Sequence, residues 1–149
     1  MTKVKIIKRG VDRLTGDVIV AEIDKAMRPL LGAGQSIWKR FGVTKEQLTE
    51  KGGKMKDGET RVTTPSLLPN CFKQILHVAM PSFDSSEQFL RDESLSMLYR
   101  NILGKAIAEE AKILVIPVLG VKSLSYPLEN CVDAMLGAIQ DFLSVKNNK

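Results

Sequence analysis

Two glycine-containing loops and a pair of carboxylates are the parts of this chain whose residue types could do chemistry. One loop is Gly32-Ala33-Gly34; the other runs from Gly120 through Val121, Lys122, Ser123 and Leu124. The second follows an apolar run, Ile113 to Val118, that breaks at Pro117 and Gly120 and leads through Tyr126-Pro127 into a helical pattern. Strand, loop, helix is the layout in which α/β proteins hold phosphates and nucleotides, because ligands collect beyond the carboxyl ends of parallel strands and at helix N-termini. Glu22 and Asp24 alternate at the end of another apolar run, which would point both carboxylates to one face. Such a pair serves acid–base work or holds a cation, and Asp24 is the catalytic candidate. Solvent-facing residues at a strand end are the favoured reading, since no metal-ligand set accompanies them.

The remaining reactive side chains have simpler explanations. His77 sits among Ile75, Leu76 and Val78 and reads as a histidine that fixes a strand, because a general base needs a partner within hydrogen-bond reach. Cys71 and Cys131 lie far apart with no CxxC spacing, and the chain has one histidine, so neither a metal nor a cofactor is expected. Both cysteines suit a reduced, intracellular protein. Cys131 on the first turn of the last helix reads as a packing residue; the alternative is a thiol of lowered pKa. Trp38 reads as a helix-to-core anchor.

Composition narrows the class. A chain of 149 residues, 44% hydrophobic and 26% charged, has enough apolar surface for one soluble domain, expected over residues 1–145 with a disordered tail at 146–149. No apolar run approaches the roughly 20 residues of a membrane span. The net charge of +5 gathers at Lys3, Lys5, Lys8 and Arg9 and again at Lys51, Lys54 and Lys56. A basic surface suits phosphates or RNA, although solvated lysines that keep the protein soluble are the favoured reading. One Trp, with no aromatic residues interleaved among the lysines, argues against a stacking platform for single strands.

The elements that must position these residues follow from periodicity and breakers. Val4–Ile7 is a short strand candidate with a turn at Arg9-Gly10. Asp17–Ala21 is a nearly continuous apolar run, as in a strand buried on both faces. Gln35–Phe41 has helical spacing and ends at Gly42. Thr44-Lys45-Glu46-Gln47 is a capping box for a short helix. Glu59–Thr64 and Gln74–Ala79 read as strands. A long helix is expected over Glu87–Ala111, capped at Ser85-Ser86, with Leu95, Leu98, Ile102, Ala106 and Ile107 at helical spacing. Ile113–Val118 reads as a fully buried strand. The last helix, Leu128–Leu143, has Val132, Met135, Leu136, Ile139 and Leu143 on one face. The order predicts a single α/β domain with helices around a mixed sheet.

Several strings in this order resemble the macro domain family, whose members bind ADP-ribose and in some cases hydrolyse it from proteins. Asp17–Val20 is similar to that family's second strand, and Leu31–Gly34 with Ile37–Gly42 to its first glycine loop and helix. Glu59–Pro65, Leu68-Pro69 and Ile75–Val78 resemble its central hairpin. Ile113–Leu119 with Tyr126-Pro127 resembles the strand before its phosphate-binding loop. The resemblance implies a three-layer α/β/α fold and a site at Asp12, Asp24, Gly32, Ala33, Gly34 and Gly120–Leu124. It also exposes departures. The family's Asn-Ala-Ala-Asn string is Ala21-Glu22-Ile23-Asp24 here. Its adenine-binding Asp matches Gly10-Val11-Asp12 displaced by one residue. Lys122 and Ser125 stand where the second loop has glycines. These changes imply weakened or altered recognition of ADP-ribose or a related nucleotide, without catalysis. The alternatives are a scaffold that binds protein or RNA through its basic surface, and an ADP-ribosyl hydrolase.

Overall fold

The apolar run after Asp17 becomes the strand around which the domain is built. The computed structural model describes residues 13–81, 88–121 and 126–147. Its elements in chain order are β1 (Val18–Ile23), α1 (Ala33–Phe41), α2 (Lys45–Glu50), β2 (Thr60–Thr63), β3 (Gln74–Ala79), α3 (Gln88–Ala108), β4 (Leu114–Val115) and α4 (Leu128–Asn147). The strands form one mixed sheet in the order β2-β3-β1-β4. β1 is parallel to both β3 and β4, and β2 is antiparallel to β3. A strand flanked on both edges and covered on both faces has no polar side to present, which is why its sequence lacks alternation.

Alternation along β1 divides the core in two. Val18 and Val20 face Leu95, Leu98, Tyr99 and Ile102 of α3 and Cys131 and Ala138 of α4. Ile19, Ala21 and Ile23 face Ile37, Trp38 and Phe41 of α1 and Leu48 of α2. The result is the expected three-layer α/β/α domain with a mixed sheet. Local signals hold where short-range bonds decide them. The Thr44 side chain accepts from the Gln47 N–H, and the Gln47 side chain accepts from the Thr44 N–H. Gly42 closes α1 in the left-handed region, its N–H bonded to Trp38.

The structure corrects several expectations, and α4 runs to Asn147, past its expected end at Leu143 and two residues into the stretch expected as a tail. The strand at Ile113–Val118 is only two residues long and half-buried, with Ile113 57% exposed. Among the described residues β4 pairs on one side only, and Pro117 has no N–H with which to extend the ladder. The long helix ends at Ala108, three residues early. There Glu110 adopts positive φ and the Ala111 N–H bonds to Ala106, closing the last turn. Ile107 is 50% exposed, one position beyond the buried Ala106. α4 is rotated from its expected face. It packs through Cys131, Ala134, Met135 and Ala138, leaving Leu136 exposed, because small residues let α4 approach α3 more closely than a leucine ridge would. The expected strand at Val4–Ile7, the Arg9-Gly10 turn and the Ser85-Ser86 cap lie outside the described residues.

Candidate ligand cleft

Chain direction places a crevice between β1 and β4. The two strands are adjacent and parallel, but β1 leads to α1 on one face of the sheet while β4 leads to α4 on the other. Where successive connections diverge to opposite faces, the loops beyond the carboxyl ends separate, and ligands of α/β sheets bind in the gap. A cleft of about 140 Å³ lies there, lined by Glu22, Leu30–Gly34, Pro117, Val118 and Val121.

One wall is the loop after β1 and the start of α1. The Leu30 N–H bonds to the Glu22 carbonyl at 3.1 Å, Gln35 N–H to Leu30 and Ser36 N–H to Gly32. α1 has no side-chain cap and no acidic residue in its first turn, so the helix itself supplies no carboxylate to offset the positive end of its dipole, which lies at the cleft wall formed by Gly32, Ala33 and Gly34. Gly34 makes this wall possible. A Cβ there would stand 2.9 Å from the Glu22 carbonyl oxygen, closer than packed atoms approach.

The other wall follows β4. Gly120 turns the chain with φ 91°, a conformation that costs glycine little and other residues more. The Tyr126 N–H closes that turn on the Gly120 carbonyl at 3.3 Å. From α3, the Tyr99 hydroxyl accepts the Leu119 N–H at 3.2 Å, tying the wall to the core. Burial, and to a lesser degree the Glu22 carboxylate, holds the Tyr99 phenol well above its ordinary pKa. Burial, and again Glu22, also raises the Cys131 thiol, whose Sγ–H points at the Tyr126 carbonyl at 3.6 Å. That removes the alternative of a reactive Cys131.

The sequence-predicted site residues divide sharply. Gly32, Ala33, Gly34 and Val121 line the cleft, and Gly120 is buried directly beside it. Asp12, Lys122, Ser123 and Leu124 lie outside the described residues. Asp24 falls beyond the end of β1, so the alternation expected to set it beside Glu22 does not reach it. Its Oδ1 accepts from the N–H groups of Ala26 and Arg28, and its Oδ2 pairs with the Arg28 guanidinium at 3.2 Å. It is not among the lining residues. Asp24 therefore builds its own turn, a role for which Asp side chains have a recognised preference. His77 lies on the α1 face of β3, fully buried, with Nε2 2.8 Å from the Thr63 hydroxyl and its ring edge-on to Trp38. Burial first, then Arg61 and Lys51, lowers its pKa to about 3, so it stays neutral.

Sequence reasoning missed Leu30, Leu31, Pro117 and Val118 as lining residues. The available signal was two adjacent leucines inside a Pro/Gly loop, where a surface turn would be polar; Leu31 is 67% exposed at the cleft. Among the described residues no group of His, Cys, Asp and Glu could hold a metal ion, and no helix is long and apolar enough to cross a membrane.

Comparison with curated protein sequences gives no match, whereas solved structures with this fold are numerous. A variant of the Oceanobacillus iheyensis macrodomain superposes with a TM-score of 0.78 at 22% identity, over 91% of this chain and 74% of that one. The macro domain of ganglioside induced differentiation associated protein 2 gives 0.76 at 23% identity, over 93% and 68%. Another variant of the Oceanobacillus protein, solved with ADPR, gives 0.76 at 22% identity, over 91% and 75%. The same protein has been solved with ADP. At these identities the similarity is one of fold. The macro domain family's own sequence pattern, however, matches residues 15–135, a span that takes in β1, both cleft walls and the first turns of α4. Fold and sequence pattern agree, and the chain belongs to the macro domain family.

Proposed function

We propose that the cleft binds ADP-ribose or a related nucleotide, with weakened or altered recognition and without catalysis. The observation that carries the reading is the crevice itself, beyond the carboxyl ends of β1 and β4 and walled by the uncapped start of α1. An N-terminal helix turn facing a gap is suited to a phosphate, and Leu30, Leu31 and Val121 offer apolar contact to a base or sugar face. The structural relatives solved with ADPR and ADP support the choice of ligand.

Size and side-chain chemistry support the rest of the reading. Drug-sized ligands usually occupy about 300–1,000 Å³, and the cleft is about 140 Å³, so ADP-ribose must widen it or bind partly outside. General acid–base or nucleophilic work needs a group poised beside the reacting atoms. Glu22 is the one ionisable side chain among the described lining residues. Asp24 is held in its turn, His77 is buried on the α1 face of the sheet, and Cys131 is a buried neutral thiol.

Calorimetric titration with ADP-ribose tests the proposal. Saturable heat that disappears in Val118→Trp, where the indole fills the cleft, is the expected result. A flat titration at about 1 mM ligand, where even a weak site of that Kd would be half filled, refutes it.

A further inference from the structure

We propose, on the reading of the cleft as a nucleotide site, that the Tyr99 hydroxyl is a latch. It holds the β4 wall to the core and so sets how readily the cleft opens for a ligand. At about 140 Å³ the cleft is well below the roughly 300 Å³ at which sites for drug-sized ligands begin, so one wall has to yield. The α1 wall is the firmer. The Glu22 carbonyl holds the Leu30 N–H, the Gln35 N–H bonds to Leu30 and the Ser36 N–H to Gly32. Gly34 packs so closely that an added Cβ would stand 2.9 Å from the same Glu22 oxygen. The Glu22 backbone is in turn paired in the β1–β3 ladder opposite Val78.

The β4 wall has fewer ties. Its ladder with β1 ends at the pair Ile19–Val115, and Pro117 has no N–H with which to continue it. Among the described residues, two hydrogen bonds beyond that ladder hold residues 116–121. The Tyr126 N–H bonds to the Gly120 carbonyl and closes a local turn. The Leu119 N–H bonds to the Tyr99 hydroxyl at 3.2 Å and reaches across to α3. Tyr99 and Leu119 are both 0% exposed, so water does not compete for this bond while the wall is in place. Moving Pro117, Val118 and Val121 outward pulls Leu119 away from Tyr99. Without the hydroxyl, the closed wall keeps an unpaired buried N–H, whereas an opened wall can pair it with water. Tyr99→Phe therefore shifts the balance towards the open cleft. A neutral hydrogen bond is worth about two- to tenfold in such an equilibrium, and apparent affinity rises with the fraction already open.

The experiment is a calorimetric titration of wild type and Tyr99→Phe with ADP-ribose, after thermal melts have verified folding. The variant should bind ADP-ribose about two- to tenfold more tightly. A hydroxyl that merely supports the wall gives the opposite sign, because loosening the wall then costs affinity. NMR of the Tyr99 ring carbon that bears the hydroxyl is a second readout and needs no variant. In wild type that resonance should shift as ADP-ribose saturates the cleft and the hydroxyl loses the Leu119 N–H. If Tyr99→Phe does not fold, the resonance decides alone. Equal or weaker binding by the folded variant, or an unmoved resonance at saturation, overturns the latch and leaves the cleft reading standing. If wild type and variant both give flat titrations, the nucleotide reading fails and the latch fails with it.

Discussion

Replacing Gly34 with alanine should destabilise the domain, while the same replacement at Gly104 or Gly137 should stabilise it. All three glycines lie in helices, where alanine is ordinarily better by about 1 kcal/mol because glycine loses more backbone freedom on folding. At Gly104 and Gly137 an added Cβ meets nothing within 4 Å, so the propensity gain stands alone. At Gly34 it would lie 2.9 Å from the Glu22 carbonyl oxygen. That oxygen belongs to backbone held by the β1–β3 ladder and by the Leu30 N–H, so α1 has to move instead. Overpacking of this kind costs about 1–3 kcal/mol. Subtracting the alanine gain leaves Gly34→Ala less stable than wild type by about 0–2 kcal/mol. Relative to the two control variants the gap is about 1–3 kcal/mol, or roughly 2–4 °C in Tm per kcal/mol for a domain of this size. Urea unfolding followed by tryptophan fluorescence is the assay, since Trp38 is the chain's one tryptophan and is 8% exposed in the core beside β3. If Gly34→Ala gains stability as the controls do, α1 does not press on β1 at this point. Glycine is then not needed at position 34 to form the cleft wall.

Two further outcomes follow from buried groups. His77 is the chain's one histidine. Its pKa is about 3 in the fold against 6.5 unperturbed, so between those values the unfolded chain binds a proton that the folded chain does not. Its contribution to stability is complete above 6.5 and is lost as pH falls towards 3, with a slope of up to about 1.4 kcal/mol per pH unit. The urea midpoint should fall from pH 6.5 to about pH 5, a range in which ordinary carboxylates stay mostly ionised, and His77→Gln should flatten that fall; an equally steep slope in the variant would refute the assignment. A disulfide-exchange reagent should modify the half-buried Cys71 quickly in the folded protein and the buried Cys131 only on unfolding. Two equally fast thiols would contradict the packing of α4 on α3.

Sequence alone determined the parts of the protein that depend on neighbours along the chain. A continuous apolar run after Asp17 is the signature of a strand covered on both faces, and Val18–Ile23 is that strand. The Thr44–Gln47 capping box and the Gly42 cap need only bonds that span three to five residues, so their residue types suffice. The glycine loop at Gly32–Gly34 was legible for a similar reason, since only small residues allow a helix to start so close to a strand. Tertiary structure decided the rest. Periodicity marks residues that favour burial but not the shape of what they pack against, so the larger apolar residues of α4 suggested one face and its small ones, Cys131 and Ala138, formed it. Pairing partners distant in the chain set the length of β4, which no local pattern encodes. The cleft turns on the same distinction. Alternation gave Glu22 and Asp24 equal standing as neighbouring carboxylates. One extra residue of strand separates their fates, because β1 ends at Ile23: Glu22 stays in the ladder and faces the cleft, while Asp24 enters the turn and is consumed by Ala26 and Arg28.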